Sequence, residues 1–314
     1  MTTGETAACP ETGGVDWSIA VFARNEAAVL APCVAGLAAA CAGRDARVTL
    51  MLNGTTDGSE AALRPLAHGA GIALDVRQIA FGDKSNAWNQ FVHAVRPTAR
   101  TYFFVDAYAI PAPGALAALE RRLAATPSAN AAAAVPSSGR TAAATRAAML
   151  ERPALHGSLF ALRGEFVARI AAAGLRLPVG LYRGDGLIGS FAVHDLVASE
   201  DTWMPDRIAV APDATWTVEP LSMLRPRDAK RRLARLVRQA RGVMEDRAIS
   251  DLLYPGGFAK LPRYADRMVL DWIAADPATR RPALPRDPLG WLAVRGLQPP
   301  REPGAAALAA QRIL

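Results

Sequence analysis

Four short apolar runs alternate with helix-like segments in the first part of the chain, and this order constrains the fold more than any other feature. The runs cover residues 17–23, 48–52, 74–79 and 101–105. Strands that alternate with helices over short connections predict an α/β fold, with a mostly parallel central sheet and helices on both faces. Ligands of such sheets bind at the carboxyl ends of the strands. We therefore expect a ligand crevice where these four runs end.

The remaining elements are less regular. We predict helices at 27–42, 59–70, 84–95, 113–125, 165–173 and 265–275, and further strands at 129–135, 157–162, 207–211 and 215–218. The chain should divide into a loose tail at 1–16, a main domain at 17–247 and a helical, Pro-rich extension at 248–314 that packs on it and is frayed at its end.

Composition narrows the class of protein. The 314 residues are 51% hydrophobic and 21% charged, which are ordinary globular values. No apolar run approaches the roughly 18 residues that a membrane span needs, and the first residues lack a secretion signal. The three cysteines form no CxxC pair, and the four histidines lack metal-ligand spacing. We therefore expect a cytoplasmic protein without a zinc site.

The net charge of +7 indicates an anionic partner, although an arginine-rich proteome gives the same value without purpose. Nine basic residues concentrate in the segment 225–247. We predict a helix here whose apolar side carries Leu233, Leu236, Val237, Ala240 and Met244. It could be a solvated surface helix, a phosphate clamp or a contact with an anionic membrane. Nucleic-acid binding is disfavoured, because aromatic and basic residues do not interleave.

Short polar side chains follow the first two runs. Asn25 and Glu26 come after the first run, and Asn53 and Asp57 belong to the turn after the second. These residue types are also common helix caps and turn formers, so the pattern alone favours capping over ligand binding.

The helix predicted at 84–95 opens with Lys84 and Asn86. A helix start that carries an ammonium and an amide suits a phosphate or the polar edge of a ring. The same residues suit an ordinary capped helix start equally well.

Asp106 is a sharper signal because it directly follows the apolar strand 101–105. A carboxylate at the rim of the core is costly to bury without a partner, so we expect it to meet a cation or hydrogen-bond donors. Mg²⁺ or Mn²⁺ bridging two phosphates would serve, since hard cations prefer oxygen ligands. The alternative is a capping aspartate in the loop before Pro111.

Residues 184–189 read Gly-Asp-Gly-Leu-Ile-Gly and match the dinucleotide-binding pattern letter for letter. That pattern requires a strand directly before it, whereas 176–183 contains a proline and a glycine and is predicted to be a loop. A dinucleotide site is therefore disfavoured. Asp185 is of more interest, because its flanking glycines would let a substrate approach closely.

In their order and spacing, these pieces resemble the family 2 glycosyltransferases of the GT-A fold over about residues 18–242. The resemblance is carried by Phe22-Ala23-Arg24-Asn25-Glu26, the turn 53–59, the helix start 84–89, Asp106-Ala107-Tyr108 in place of Asp-x-Asp, the Gly-led segment 157–163, Asp185, and Val210 to Ala214 before the basic helix. It implies an inverting transfer of a sugar from a nucleotide-diphosphate donor to a hydroxyl of a glycan or lipid-linked acceptor, in bacterial cell-wall or polysaccharide biosynthesis.

The resemblance also implies roles for particular residues. Asp185 would be the catalytic base. The donor-binding residues would be Asn25, Glu26, Asn53, Asp57, Lys84, Asn86, Asp106 and Arg238, and the acceptor-binding residues would be Arg163 and Gly184. Asp106 would hold Mg²⁺ or Mn²⁺. Apart from the resemblance, the basic segment 225–247 leaves open a peripheral contact with the inner face of an anionic membrane.

Three positions depart from the family pattern. Leu52 stands where many members carry an aspartate that contacts the nucleotide base, Tyr108 replaces the second carboxylate of Asp-x-Asp, and of Gln-x-x-Arg-Trp only Arg238 is present. These departures leave open an atypical donor, less reliance on a metal with arginines neutralising the diphosphate, and a catalytically degenerate nucleotide-sugar-binding protein of the same fold. A nicotinamide-dependent oxidoreductase is a further and weaker alternative.

Overall fold

A single sheet organises the part of the chain that the computed structural model describes, residues 14–69, 71–218, 226–297 and 303–314. Its strand order is β5-β8-β6-β7-β4-β1-β2-β3-β9. The strands are β1 Val15–Ala23, β2 Ala46–Asn53, β3 Ala73–Ile79, β4 Ala99–Asp106, β5 Ala109–Pro111, β6 Ala131–Pro136, β7 Leu159–Arg163, β8 Ile208–Val218 and β9 Gln311–Arg312.

The predicted parallel strands form one half of this sheet. β3, β2, β1 and β4 are neighbours and all pair in parallel, so their carboxyl ends meet at one edge. The other half is mixed: β7 pairs antiparallel with β4 and β6, β5 pairs antiparallel with β8, and β6 pairs in parallel with β8. The two strands predicted at 207–211 and 215–218 are one strand, β8, with a register shift opposite Ala134 and Val135.

Helices cover both faces of the sheet. They are α1 Ala27–Ala40, α2 Ser59–Gly69, α3 Lys84–Gln90 with a π-helical turn at Phe91–Val95, α4 Ala115–Ala125, α5 Ala142–Glu151, α6 Gly164–Ala172, α7 Gly184–Val193, α8 Pro226–Gly256, α9 Ala265–Ala275, α10 Pro277–Arg280, α11 Pro288–Gly296 and α12 Ala305–Leu308. No helix within the described residues combines the length and apolarity that crossing a membrane requires.

Alternation along the strands produces two cores, one on each face. In β4, Phe103 and Val105 face the core shared with α1 and α4, whereas Tyr102 and Phe104 face the core shared with α3, α6 and α7. Successive strand residues point to opposite faces, so a strand buried on both sides is apolar throughout. Cys33 and Cys41 are buried free thiols, and Cys9 lies outside the described residues.

The end of the chain is ordered against the sheet, and the prediction that it is frayed is wrong. β9 pairs antiparallel with β3, and the Phe81 amide donates to the Ala307 carbonyl at 2.9 Å. Backbone pairing at an open sheet edge satisfies polar groups that would otherwise face solvent. The proline-rich composition that suggested fraying carries no information about this pairing.

The apolar side predicted for the basic helix is only partly buried in α8. Met244 is buried, but Leu233 and Leu236 are 55% and 40% exposed. Arg225 lies outside the described residues, as do the side chains of 226–232. The first described turns of α8 therefore present both leucines and arginines to solvent.

A close backbone contact supports the loops at the carboxyl edge of the parallel strands. Gly54, after β2, has φ of 59°, and a β-carbon there would come 2.2 Å from the Gly82 α-carbon. We expect Gly54→Ala to destabilise the fold by about 2 kcal/mol or more, from left-handed strain and the backbone clash together. Urea unfolding would measure the loss.

Gly43→Ala is the matched control, because Gly43 has φ of 75° and, in the described part of the chain, no heavy atom within 4 Å of the added carbon. It isolates the strain of a positive φ, about 1 kcal/mol. Equal losses for both variants would contradict the proposed clash.

His194 is a buried histidine of which only one ring nitrogen is hydrogen-bonded within the described part of the chain. Its Nδ1 lies 2.8 Å from the Thr202 hydroxyl, which itself donates to the Val197 carbonyl, so Nδ1 donates and carries the hydrogen. Nε2 has no hydrogen-bond partner among the residues that the structure describes, and the Trp203 ring packs against the imidazole. Burial lowers the pKa of His194, and the charge of Arg207 lowers it further.

We expect the free energy of unfolding to decrease as the pH falls below about 6.5, the ordinary histidine value. At such a pH the imidazole of residue 194 is protonated in the unfolded chain, whereas folded His194 binds a proton only at lower pH. The free energy of unfolding therefore keeps decreasing until the pH reaches the folded pKa of His194. His194→Gln should reduce this loss, measured by urea unfolding at about pH 7.5 and about pH 5.5. Burial also lowers the pKa of His93 and His156, so some pH dependence remains. An unchanged dependence in the variant would refute the assignment to His194.

Candidate functional site

Asp106 ends β4 at the edge where the parallel strands terminate, and it is only 6% exposed. Its Oδ1 lies 2.5 Å from the Lys84 Nζ, and its Oδ2 accepts a hydrogen bond from the Tyr108 hydroxyl at 2.7 Å. A carboxylate so poorly hydrated needs such partners. The pair with Lys84 neutralises its charge.

Lys84 is the first residue of α3, and three groups hold its ammonium. Besides Asp106, the Gly157 carbonyl accepts from Nζ at 3.3 Å, and Nζ lies 5.8 Å from the centre of the Phe22 ring. The side chain is still 46% exposed. Lys84 therefore lies at the surface of the cleft and can still meet a ligand.

Asp185 lies in the first turn of α7, and its Oδ2 accepts the Gly157 amide at 2.8 Å. A β-carbon at Gly157 would come 3.1 Å from the Lys84 Nζ and 3.3 Å from Asp185 Oδ2. Asp106, Lys84, Gly157 and Asp185 thus form a continuous row, which we call the carboxylate–lysine row. The structure brings the two predicted acidic residues to opposite ends of this one row.

His156 and Trp216 lie beside this row, and the sequence did not reveal either. Their rings are 4.7 Å apart. Burial lowers the pKa of His156, and the positive charges of Lys84 and Arg235 lower it further. The negative charges of Asp185 and Asp106 act in the opposite direction and raise it. A single histidine and a single tryptophan carry no spacing signal, and only the fold brings them here.

Tyr108 occupies the position of the second carboxylate in Asp-x-Asp. Its side chain is 44% exposed, but its hydroxyl is turned inward to Asp106. Burial of the hydroxyl and the negative charge of Asp106 raise the pKa of Tyr108 well above its ordinary value. Tyr108 is therefore a neutral donor at this position and adds no negative charge.

The segment before Asp185 is fastened by buried charges on α8. Arg241 pairs with Glu245 at 2.7 Å and with Asp266 of α9 at 2.6 Å, and it donates to the Gly180 carbonyl. The Tyr182 amide donates to Glu245 at 2.9 Å. These contacts fix the predicted loop 176–183 in front of α7, which explains why a loop can position a functional side chain.

Two more residues with predicted binding roles, Gly184 and Arg238, lie next to this loop. Gly184 begins α7, and a β-carbon there would come 3.2 Å from Leu177 and 3.3 Å from the Ser85 hydroxyl. Its lack of a side chain therefore lets α7 pack against α3. Arg238 is exposed on α8, with its guanidinium 5.9 Å from the centre of the Tyr182 ring.

The polar residues after β1 and β2 interact mainly with each other. Asn25 has φ of 57° and accepts the Thr56 amide at 2.8 Å. Asp57 accepts the Ala27 amide and the amide and hydroxyl of Ser59. Burial raises the pKa of Asp57, but the hydrogen bonds together outweigh this effect, so that the pKa of Asp57 is lowered.

Turn chemistry thus accounts for the observed partners of Asn25 and Asp57. The backbone amide of Glu26 joins the same network by donating to the Ser59 hydroxyl at 3.2 Å.

Two predicted donor-binding amides point into the protein. Asn53 donates to the Ala23 carbonyl at 3.0 Å, and Asn86 donates to the Leu308 carbonyl at 2.9 Å; both side chains are buried. Asn86 also lines a separate cavity of about 410 Å³, together with Leu177. These amides tie strand ends and the C-terminal segment together, so the structure does not bring them into the cleft.

Arg163 does not join the cleft. It pairs with Thr101 at the start of β4, at the opposite end of that strand from Asp106. Its guanidinium donates to the carbonyls of Leu123, Thr126 and Ala129, at and beyond the end of α4. The sequence placed it after a Gly-led strand but could not show that this strand runs antiparallel.

The residues around Asp106 do not fit a directly bound divalent metal. Mg²⁺ is usually held by one or two carboxylates together with substrate phosphates. Here both oxygens of the single carboxylate are engaged, one of them by a cation that would repel the metal. Within the described ranges, no three His, Cys, Asp or Glu residues converge in a way that could hold a metal ion.

The six residues Gly-Asp-Gly-Leu-Ile-Gly also lack the context of a dinucleotide site. They begin α7 directly after the loop 176–183, and no strand immediately precedes them. The tight strand-to-helix turn that binds a pyrophosphate therefore does not form here.

Comparison with known structures shows the fold. A mannosyltransferase, PcManGT from Pyrobaculum calidifontis, solved in complex with GDP-Man and Mn²⁺, matches with a TM-score of 0.59 and 20% identity, over 91% of this chain and 82% of that one. TarS 1–349 from S. aureus, in complex with UDP-GlcNAc, matches with a TM-score of 0.53 and 12% identity, over 88% and 79%.

Sequence comparison shows the family. Curated proteins include no significant match to this sequence. The family model described as glycosyl transferase family 2 matches residues 18–171, which span β1 to β7 and most of α6 and include Asp106 and Lys84. Residues 18–171, about half of the chain, therefore belong to glycosyl transferase family 2, and the solved structures show the same GT-A fold.

Proposed function

We propose that the protein transfers a sugar from a nucleotide-diphosphate donor to a hydroxyl group of a glycan or lipid-linked acceptor, with inversion at the anomeric carbon. The observation that carries this proposal is the carboxylate–lysine row, in which a fixed ammonium separates a buried carboxylate from a half-buried one. Such a row offers a cation to a leaving diphosphate and a base to an attacking hydroxyl within one cleft.

Asp185 acts as the general base in this proposal. The Gly157 amide holds its Oδ2, and Oδ1 has no hydrogen-bond donor among the described residues. As the acceptor oxygen bonds to the anomeric carbon, its proton passes to Asp185. The bond from that carbon to the diphosphate oxygen breaks, and the electron pair leaves with the nucleoside diphosphate. Attack from the face opposite the leaving group inverts the carbon.

Cations around the cleft stabilise the charge that develops on the leaving group. Lys84 lies next to Asp185 across Gly157, and the α8 residues Arg235 and Arg238 lie near His156 and Tyr182 respectively. Preorganised charges need no reorganisation as the bond breaks, which makes them effective. In this proposal the loop of Asn25, Glu26 and Asp57 flanks the nucleoside, while Asn53 and Asn86 support it from behind.

A catalytically degenerate donor-binding protein is the second candidate. Tyr108 and Leu52 favour it, because each replaces an acidic side chain of the family pattern. The two candidates differ at Asp185, since donor binding alone needs no base.

We expect Asp185→Asn to lower kcat about 10²- to 10⁴-fold, because the amide cannot accept the proton. Nucleotide affinity should change little. A panel of UDP- and GDP-sugars, followed by release of the nucleoside diphosphate, gives the rate, and calorimetry gives the affinity. Asp213→Asn is the matched control, since Asp213 is exposed and pairs with Arg121 away from the row.

Two outcomes separate the candidates. Full activity of the Asp185→Asn variant would remove Asp185 as the base. Binding of a donor by the wild type without turnover of any donor would favour the degenerate binder.

We further propose that α8 brings the enzyme to the cytoplasmic face of an anionic membrane, where a lipid-linked acceptor would lie. Leu233, Leu236, Val243 and Tyr254 are all at least 40% exposed. At 100° per residue these four side chains share one side of the helix, and Arg247 lies on the same side. Exposed apolar side chains beside arginines suit an anionic lipid surface.

We expect the protein to sediment with vesicles of anionic phosphatidylglycerol and phosphatidylcholine, and not with vesicles of phosphatidylcholine alone. Leu236→Glu with Val243→Glu should abolish sedimentation, because carboxylates would meet like-charged lipids. Leu150→Glu, at an equally exposed leucine of α5, is the control. Equal binding to both vesicle types, or no effect of the double substitution, would rule out this surface.

A further inference from the structure

Lys84 already fills the place of a cation at Asp106. Its Nζ lies 2.5 Å from Oδ1, while the Tyr108 hydroxyl engages Oδ2. A divalent ion bound directly to this carboxylate would have to displace the ammonium and deprive Tyr108 of its acceptor. With Tyr108 in place of a second carboxylate, no additional negative charge offsets the repulsion between two cations.

The position of the ammonium is supported from several sides. Asp106 and the Gly157 carbonyl accept from it, and the Phe22 ring lies beneath it at 5.8 Å. A lysine side chain loses much rotamer freedom when it is fixed in one place. The three contacts offset this entropy cost and together define the position of the ammonium. The side chain nevertheless remains 46% exposed.

The ammonium also lies close to the proposed base. Gly157 separates the two groups, since a β-carbon there would come 3.1 Å from Nζ and 3.3 Å from Asp185 Oδ2. A diphosphate that binds Lys84 would therefore place its sugar beside Asp185. Lysine binds phosphate as a compact point charge and needs no metal to do so.

We propose that Lys84 is the fixed cation for the donor diphosphate, so that this protein binds its nucleotide without a divalent metal. The inference rests on the proposed function, because it assumes a nucleotide-diphosphate ligand in this cleft. It assigns to one side chain the neutralisation for which the sequence suggested Mg²⁺ or Mn²⁺ at Asp106.

Calorimetry with UDP and with GDP tests this inference on the whole chain. The wild type should bind one of these nucleotides with the same Kd, within about threefold, in EDTA and in millimolar MnCl₂. Lys84→Met, which keeps the apolar stem and removes the charge, should weaken that binding about 10- to 100-fold in EDTA. Lys260→Met is the matched control, because Lys260 is exposed in the turn Phe258–Lys260.

Titration of the wild type with MnCl₂, followed by the electron paramagnetic resonance signal of free Mn²⁺, gives a second readout. We expect the protein to remove no Mn²⁺ from solution, either with or without nucleotide. The only loss of the free Mn²⁺ signal should be the amount that the nucleotide binds in a control without protein. This measurement and the EDTA comparison use only the wild type, so they remain decisive if Lys84→Met does not fold.

The outcomes distinguish this inference from the proposed function. Nucleotide binding that requires Mn²⁺, or a Lys84→Met variant that folds and binds like the wild type, would overturn the role of Lys84 and leave the glycosyltransferase proposal standing. Failure of every nucleotide to bind under both conditions would overturn both. Metal-independent binding that is lost only in Lys84→Met would support both.

Discussion

The largely buried guanidinium of Arg241 makes the ion pairs that hold the segment in front of Asp185. It joins Glu245 of its own helix, Asp266 of α9 and the Gly180 carbonyl. Burial raises the pKa of Glu245, and Arg241 opposes that rise by stabilising the carboxylate. Removing one partner of such a buried pair leaves an uncompensated charge, which is strongly destabilising. Segments beyond the family match at 18–171 therefore position the first turn of α7, where Asp185 lies.

The C-terminal segment belongs to the same construction. Asp83 accepts amide hydrogens from Asn86 and from Gly180 at 2.6 and 2.9 Å, so the start of α3 and the loop before α7 are joined at one carboxylate. Asn86 in turn binds the Leu308 carbonyl. The helix start that presents Lys84 is thus held by a distant loop and by the last residues of the chain. This arrangement gives a flexible lysine a defined position.

The sequence predicted what depends on periodicity and missed what depends on long-range pairing. Apolar runs located the parallel strands, and their ends located Asp106. Nothing local could show that Asn53 and Asn86 turn inward, because an amide suits a ligand and a backbone carbonyl equally well. Strand direction is likewise invisible in an apolar run, so nothing local could test the acceptor-binding role that the family resemblance implied for Arg163. The spacing of the α8 leucines correctly predicted a helix. Spacing alone does not show which faces of a helix pack against a neighbouring element, so the exposure of these leucines was not predicted.

Gly157 links the two halves of the proposed chemistry. Its amide holds Asp185, and its carbonyl holds the ammonium of Lys84. A shift of this one residue would therefore move the base and the cation together, which preserves the spacing between an attacking hydroxyl and a leaving diphosphate. A side chain at this position would crowd both groups, since a β-carbon would come 3.1 Å from Nζ and 3.3 Å from Oδ2. Geometry of this kind matters for transfer because small displacements of reacting groups reduce the rate strongly. Gly157, two residues before the start of β7, is thus as much a part of the proposed site as the charged side chains that it joins.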